Sequence, residues 1–223
     1  MSVGVQFDSS ISQSEETRFV SKNIKLFKNM AKKYNCTLDM TIRLGVIYYK
    51  FQVESKDKGK GMRKNQLLDF MYNSLNMTDD AINYCLLSVM DRPRNSTPIF
   101  FLDSWLKLMI IFLTGSLQAK IDLCFKVYDR LNQGIIARSS MFHFLDNCII
   151  AETKEESEDA LKDFVDLIFK KLDVDTDGII SKEDYTNHCV QDPLGIEFLG
   201  QCWPSRDALR TFSSSFNIKV DDI

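Results

Sequence analysis

Residues 173–184 read DVDTDGIISKED, and this run constrains the chain more than any other feature, because side-chain oxygens recur at every second residue ahead of a glycine. Asp173, Asp175 and Asp177 fall at positions 1, 3 and 5 of a twelve-residue loop. Gly178 stands at position 6, where the backbone must turn sharply. Ile179 offers its carbonyl at position 7, Ser181 an oxygen at position 9, and Asp184 closes the loop at position 12. Such a set suits a hard divalent cation. A glutamate at position 12 would reach in with both oxygens; an aspartate, one methylene shorter, more readily supplies one, so the expected site is competent without being tight.

The flanks carry the period of helices. Leu161, Phe164, Val165, Ile168 and Leu172 lie on one face before the loop, with Ser157, Glu158 and Asp159 as the expected oxygen cap and start. After it, Tyr185, His188 and Cys189 continue an apolar stripe. Ser181 and Asp184 have capping-box spacing, so the exit helix should begin inside the loop. Helix, loop and helix together describe an EF-hand. Because such hands pair through short backbone strands, a partner is required. It lies at DRLNQGIIARSS, residues 129–140, where Gly134, Ile135 and Ile136 align with Gly178, Ile179 and Ile180. There Leu131, Ala137 and Ser140 replace the ligands at positions 3, 9 and 12, so this hand is expected to be a structural partner that holds no calcium. Two weaker units precede it, with loops starting near residues 53 and 93. Prolines and arginines in 91–105 argue against metal in the second.

The expected fold is therefore all-α, EF-hand, in two lobes of paired helix–loop–helix units with short β-bridges between paired loops. Gly115 and Ser116 suggest a break between an N-terminal lobe at 20–114 and a C-terminal lobe at 117–200. Residues 1–19 read as a disordered start, Ala151 to Asp159 as a solvated connection, and 201–223 as a last helix and tail that covers a groove of its own chain.

Charge is uneven. Residues 1–64 hold thirteen Lys and Arg against six Asp and Glu, whereas the remainder holds fifteen against twenty-five. The basic front suits acidic protein surfaces and the acidic back suits cations. No nucleic-acid motif accompanies the basic residues. Six cysteines show no metal-ligand spacing and read as reduced thiols. The apolar run from Leu102 to Leu113 is too short for a membrane span and reads as a core helix, so no membrane partner is expected. Asn35, Asn76 and Asn95 open N-x-T sequons without a signal peptide, and KDKGKGMRK at 56–64 lacks the order of a phosphate loop. His188 beside Cys189 has no third group, so packing rather than catalysis is expected of both, and no enzymatic role is read.

Several segments carry a family likeness: LNMTDDAI at 75–82, SWLKLMIIFLTGSLQAKIDLCFKVYD at 104–129, MFHFLDN at 141–147 and KKLDVDTDGIISKEDY at 170–185. Through them the chain resembles the calaxin family of ciliary EF-hand proteins, related more distantly to the neuronal calcium sensors. The resemblance covers roughly residues 20–212. It implies a non-enzymatic, cytoplasmic protein of the axoneme in motile cilia or sperm flagella, partnered with the outer dynein arm docking complex and dynein; the basic run at 56–64 reads as a solvated loop, with an electrostatic contact to acidic tubulin or dynein surfaces as the alternative. The family's metal positions carry over to Asp173, Asp175, Asp177, Ile179, Ser181 and Asp184, for one Ca2+, with Mg2+ as the alternative ion. A competing reading is a calcium-dependent regulatory subunit that grips a target helix, as in the calcineurin B relatives.

Overall fold

Small oxygen-bearing side chains set where the helices begin. The computed structural model describes residues 11–54, 61–90, 99–146, 148–149 and 152–218 of the 223-residue chain. Within these, Ser12 caps α1 (Gln13–Lys33), Ser116 caps α6 (Leu117–Tyr128), Thr153 caps α8 (Lys154–Leu172), Ser181 caps α9 (Lys182–Gln191) and Ser205 caps α10 (Arg206–Ser215). Each accepts a backbone N–H that the first helical turn would otherwise leave unpaired. The remaining helices are α2 (Leu38–Glu54), α3 (Lys64–Leu75), α4 (Asp80–Met90), α5 (Leu102–Thr114) and α7 (Arg138–Leu145). A 3-10 segment, Pro193–Glu197, follows α9.

Among the described residues, two strand pairs join the loops. β1 (Met62–Arg63) runs antiparallel to β2 (Ile99–Phe100), with Met62 opposite Phe100; β3 (Ile135–Ile136) runs antiparallel to β4 (Ile180–Ser181), with Ile136 opposite Ile180. The register shows four hands built alike. The N-caps of the exit helices, Arg63, Phe101, Ala137 and Ser181, each directly follow a paired residue. Eight residues separate the end of the entering helix from the paired residue in three hands, from Glu54 to Met62, Tyr128 to Ile136 and Leu172 to Ile180. In the second hand, from Met90 to Phe100, the separation is ten. The second connection, between Met90 and Phe100, is thus two residues longer than the other three.

The chain forms two units. The first takes residues 1–78, 90–115 and 204–223; the second takes 79–89 and 116–203. The expected lobe at 20–114 is corrected in one respect, since α4, the entering helix of the second hand, groups with the C-terminal hands. The segment from residue 204 groups with the first unit, where Phe212 of α10 packs edge-on against Phe70 of α3 at 5.6 Å. Helix α1 also corrects the expected disordered start, because Ile11, Glu16 and Phe19 are buried and the Phe19 ring stacks on Tyr49 at 4.5 Å. Likewise α8 begins at Lys154, not near Ser157. Thr153 accepts the Glu156 N–H, and Glu155 and Glu156 place negative charge at the positive end of the helix.

The core of the first unit centres on Trp105, wholly buried, whose indole N–H donates to the Leu44 carbonyl at 2.8 Å and whose ring meets Phe70, Phe51 and Tyr48. Tyr48 in turn ties both strands, donating to the Phe100 carbonyl and accepting the Met62 N–H. Met62, within the basic run at 56–64, is fully buried. Asn35 and Asn76 hold left-handed backbones after α1 and α3, with φ of 50° and 55°, so two of the sequon asparagines act as helix stops. Asn95 lies outside the described residues. The apolar run at 102–113 is indeed the buried helix α5, and no described helix is long and apolar enough to cross a membrane.

Candidate metal centre

The loop between α8 and α9 is shaped by its own carboxylates. Asp173 caps the end of α8, its N–H bonded to the Phe169 carbonyl, and its two oxygens accept the N–H groups of Asp177 at 3.1 Å and Gly178 at 2.9 Å. Asp177 accepts the Ile179 N–H at 2.8 Å, and Asp175 accepts the Asp177 N–H at 3.3 Å. These bonds wrap the backbone around a small space, helped by left-handed conformations at Thr176 and Gly178, with φ of 59° and 80°. Asp173, Asp175 and Asp177 consequently bring one carboxylate oxygen each to within 4.8 Å of one another. The donors are hard oxygens, which suit Ca2+ or Mg2+ over softer metals.

Electrostatics at the trio fit a cation. The Asp177 N–H favours the charged form of Asp175, yet desolvation by the surrounding loop and the charges of Asp177 and Asp184 together hold the Asp175 carboxyl above its ordinary range. A divalent ion would relieve that repulsion. The two ligand positions at the end of the loop are differently engaged. Ser181 is the N-cap of α9, and Asp184 accepts both its N–H at 3.1 Å and its hydroxyl at 2.6 Å, closing the capping box read from the sequence. Asp184 lies outside the close trio. Its short side chain serves the helix start, which leaves less of it for an ion. Ile179 sits at the rim with its side chain partly exposed.

The loop at 129–140 has the same backbone without the ligands. Asp129 accepts the N–H groups of Gln133 and Gly134, both at 2.8 Å, just as Asp173 accepts those of Asp177 and Gly178. Asn132 and Gly134 repeat the left-handed pair, with φ of 55° and 79°. Leu131 at position 3 is largely exposed and Ser140 at position 12 is buried. Among the described residues, the trio at 173–177 is the only such cluster of His, Cys, Asp or Glu. Since a Cβ at Gly134 would meet no atom within 4 Å, Gly134→Ala isolates backbone strain. The expected cost is about 1–2 kcal/mol, lowering the thermal midpoint by about 2–8 °C. A melt in chelator checks this, with metal uptake unchanged.

Catalytic readings of His188 and Cys189 find no support. Cys189 is fully buried, and burial pushes its thiol up to about 11, opposite to what a nucleophile needs. All six cysteines are unpaired thiols.

No protein-family model matches the chain. Among known proteins, calaxin of Xenopus laevis is 31% identical over 165 residues, covering 74% of this chain and 78% of that protein. The chain belongs to the calaxin family. Calaxin of Danio rerio agrees, at 29% identity over 199 residues, 85% of this chain and 93% of its own. Guanylyl cyclase-activating protein 1 of Lithobates pipiens is 29% identical over 89 residues, 40% of this chain and 43% of its own. The family and the four like-built hands agree on an all-α EF-hand fold. The calaxin identities run through most of both units, whereas the likeness to the cyclase activator spans well under half the chain.

Proposed function

We propose that this chain is a non-enzymatic EF-hand adaptor of the axoneme in motile cilia or sperm flagella. It binds one Ca2+, or Mg2+, through Asp173, Asp175, Asp177, the Ile179 carbonyl, Ser181 and Asp184, and it serves the outer dynein arm docking complex. The observation that carries this reading is the calaxin likeness over 74–85% of the chain, joined to the one carboxylate trio among the described residues. The loop at 129–140 supports the limit of one ion, since its side chains at positions 3 and 9, Leu131 and Ala137, carry carbon only. Fractionation of motile cilia tests the cellular part. The chain should remain with axonemes after detergent, leave with the outer arms in high salt, and be absent from axonemes lacking the docking complex. Recovery in the detergent-soluble fraction with a cyclase, kinase or phosphatase would instead support the regulatory-subunit reading, which the shorter likeness to guanylyl cyclase-activating protein favours.

The closing residue offers a direct handle on affinity. Glutamate is the usual capping-box partner of an N-cap serine, so Asp184→Glu keeps the start of α9 while adding reach. Calcium affinity should rise about tenfold and selectivity over magnesium should increase, because bidentate closure suits the larger ion. Competitive calorimetry with both ions measures this.

A further inference from the structure

Helix α1 carries a row of cations that its own fold leaves unused. Its apolar side is fixed against α2: the Phe19 ring stacks on Tyr49, and the wholly buried Phe27 sits where α2 offers only Gly45, since a Cβ there would stand 2.5 Å from the ring. Packing therefore decides which side of α1 meets water. At about 100° per residue, Arg18, Lys22, Lys25 and Lys32 fall within an arc of about 80° turned away from that contact, in a row roughly 21 Å long with Lys28 beside it. All five are exposed.

No acid balances them. The acidic residues of α1, Glu15 and Glu16, lie in its first turn, and none follows between Thr17 and Leu38. The next, Asp39, is held by Arg43 at 2.7 Å. Among the described residues none of the five cations forms an ion pair. Solvated helix faces commonly alternate acids and bases three or four residues apart; here each such neighbour is a like charge, which repels. An anionic partner would relieve that repulsion.

Spacing restricts the occupant. Arg18, Lys25 and Lys32 lie seven residues apart, so charge recurs along one line every ~10.5 Å, a repeat that a second α-helix laid alongside reproduces at each seventh residue. An extended chain repeats on one face at about 6.5–7 Å and falls out of register. A bilayer surface lacks a foothold, because none of the apolar residues of α1 is exposed. The row also holds no aromatic ring on which a nucleic-acid base could stack.

We propose that this row is the docking face for an acidic α-helix of a partner protein, which lies along α1 with carboxylates at every seventh residue and at the fourth between them. Each exposed pair is weak, so affinity comes from several in register and falls as salt rises. The test is fluorescence anisotropy of the full chain with two synthetic helical peptides of the same composition and net charge. One aligns its glutamates at i, i+4, i+7, i+11 and i+14; the other spreads them around the helix. The aligned peptide should bind at least about tenfold more tightly at low salt. Lys25→Glu should weaken it about two- to fivefold, and Arg18→Glu, Lys25→Glu and Lys32→Glu combined should abolish binding. Lys126→Glu, equally exposed on α6, should leave it unchanged. The replaced side chains are on the surface, so circular dichroism of each variant should match the parent. Binding should persist in chelator, which separates this face from the metal site. No binding, equal binding of the two peptides, or binding that survives the triple variant would overturn the proposal. So would tighter binding to phosphatidylserine vesicles or to DNA than to the aligned peptide.

Discussion

Replacing Trp105 by alanine should lower stability by about 3–5 kcal/mol, the usual cost of emptying a buried tryptophan site. The ring has no exposed surface, and four aromatic neighbours along α2, α3 and α10 depend on it directly or through Phe70. The Leu44 carbonyl also loses the indole donor. Against a total of about 5–15 kcal/mol for a folded domain this is a large fraction, and the midpoint should fall by about 6–20 °C. Trp105→Phe should cost less, as it keeps a ring against Phe70. The chain has two tryptophans, and the second, Trp203, lies in the other unit. Its emission in Trp105→Ala therefore reports on the C-terminal hands separately. Circular dichroism and tryptophan emission, followed on heating, check both points.

Asp173→Ala should abolish metal binding at concentrations that saturate the parent, a loss of at least about 100-fold, beyond the roughly 10–100-fold that residues supporting a ligand cost. The aspartate is both a ligand and the acceptor for two loop N–H groups. Asp129→Ala separates those roles. It removes the equivalent acceptor from Gln133 and Gly134, so it should cost about 1–3 kcal/mol of stability and leave the stoichiometry of binding unchanged. If both variants lost metal equally, loop collapse rather than ligand loss would explain the first. Calorimetry and a chelator melt on the pair distinguish the cases.

The parts of this molecule legible in its sequence are those written in local chemistry. The spacing of Asp173, Asp175, Asp177 and Gly178 specifies a loop whose hydrogen bonds are local, and the strand register at Ile136 and Ile180 follows from aligning two glycines. Ser181 and Asp184 showed their capping box for the same reason. Helix starts in polar stretches were harder. Ser12 with Glu15, and Thr153 with Glu156, carry cap signals, but the Ser- and Glu-rich surroundings read as solvated chain. The placement of α4 with the C-terminal hands had no local sign at all. It rests on which neighbours bury Ile82, Leu86 and Leu87, a property of packing. The run IEFLGQCW at 196–203 did hold a clue, because so apolar a segment after the last hand must be covered or must cover something.

The central claim is that this member of the calaxin family keeps one working metal site. Native mass spectrometry of the full chain, titrated with Ca2+ to millimolar concentration, counts the ions directly. A single bound ion is expected in the parent, none in Asp173→Ala and one in Asp129→Ala. Two ions in the parent, or one that survives Asp173→Ala, would contradict the claim.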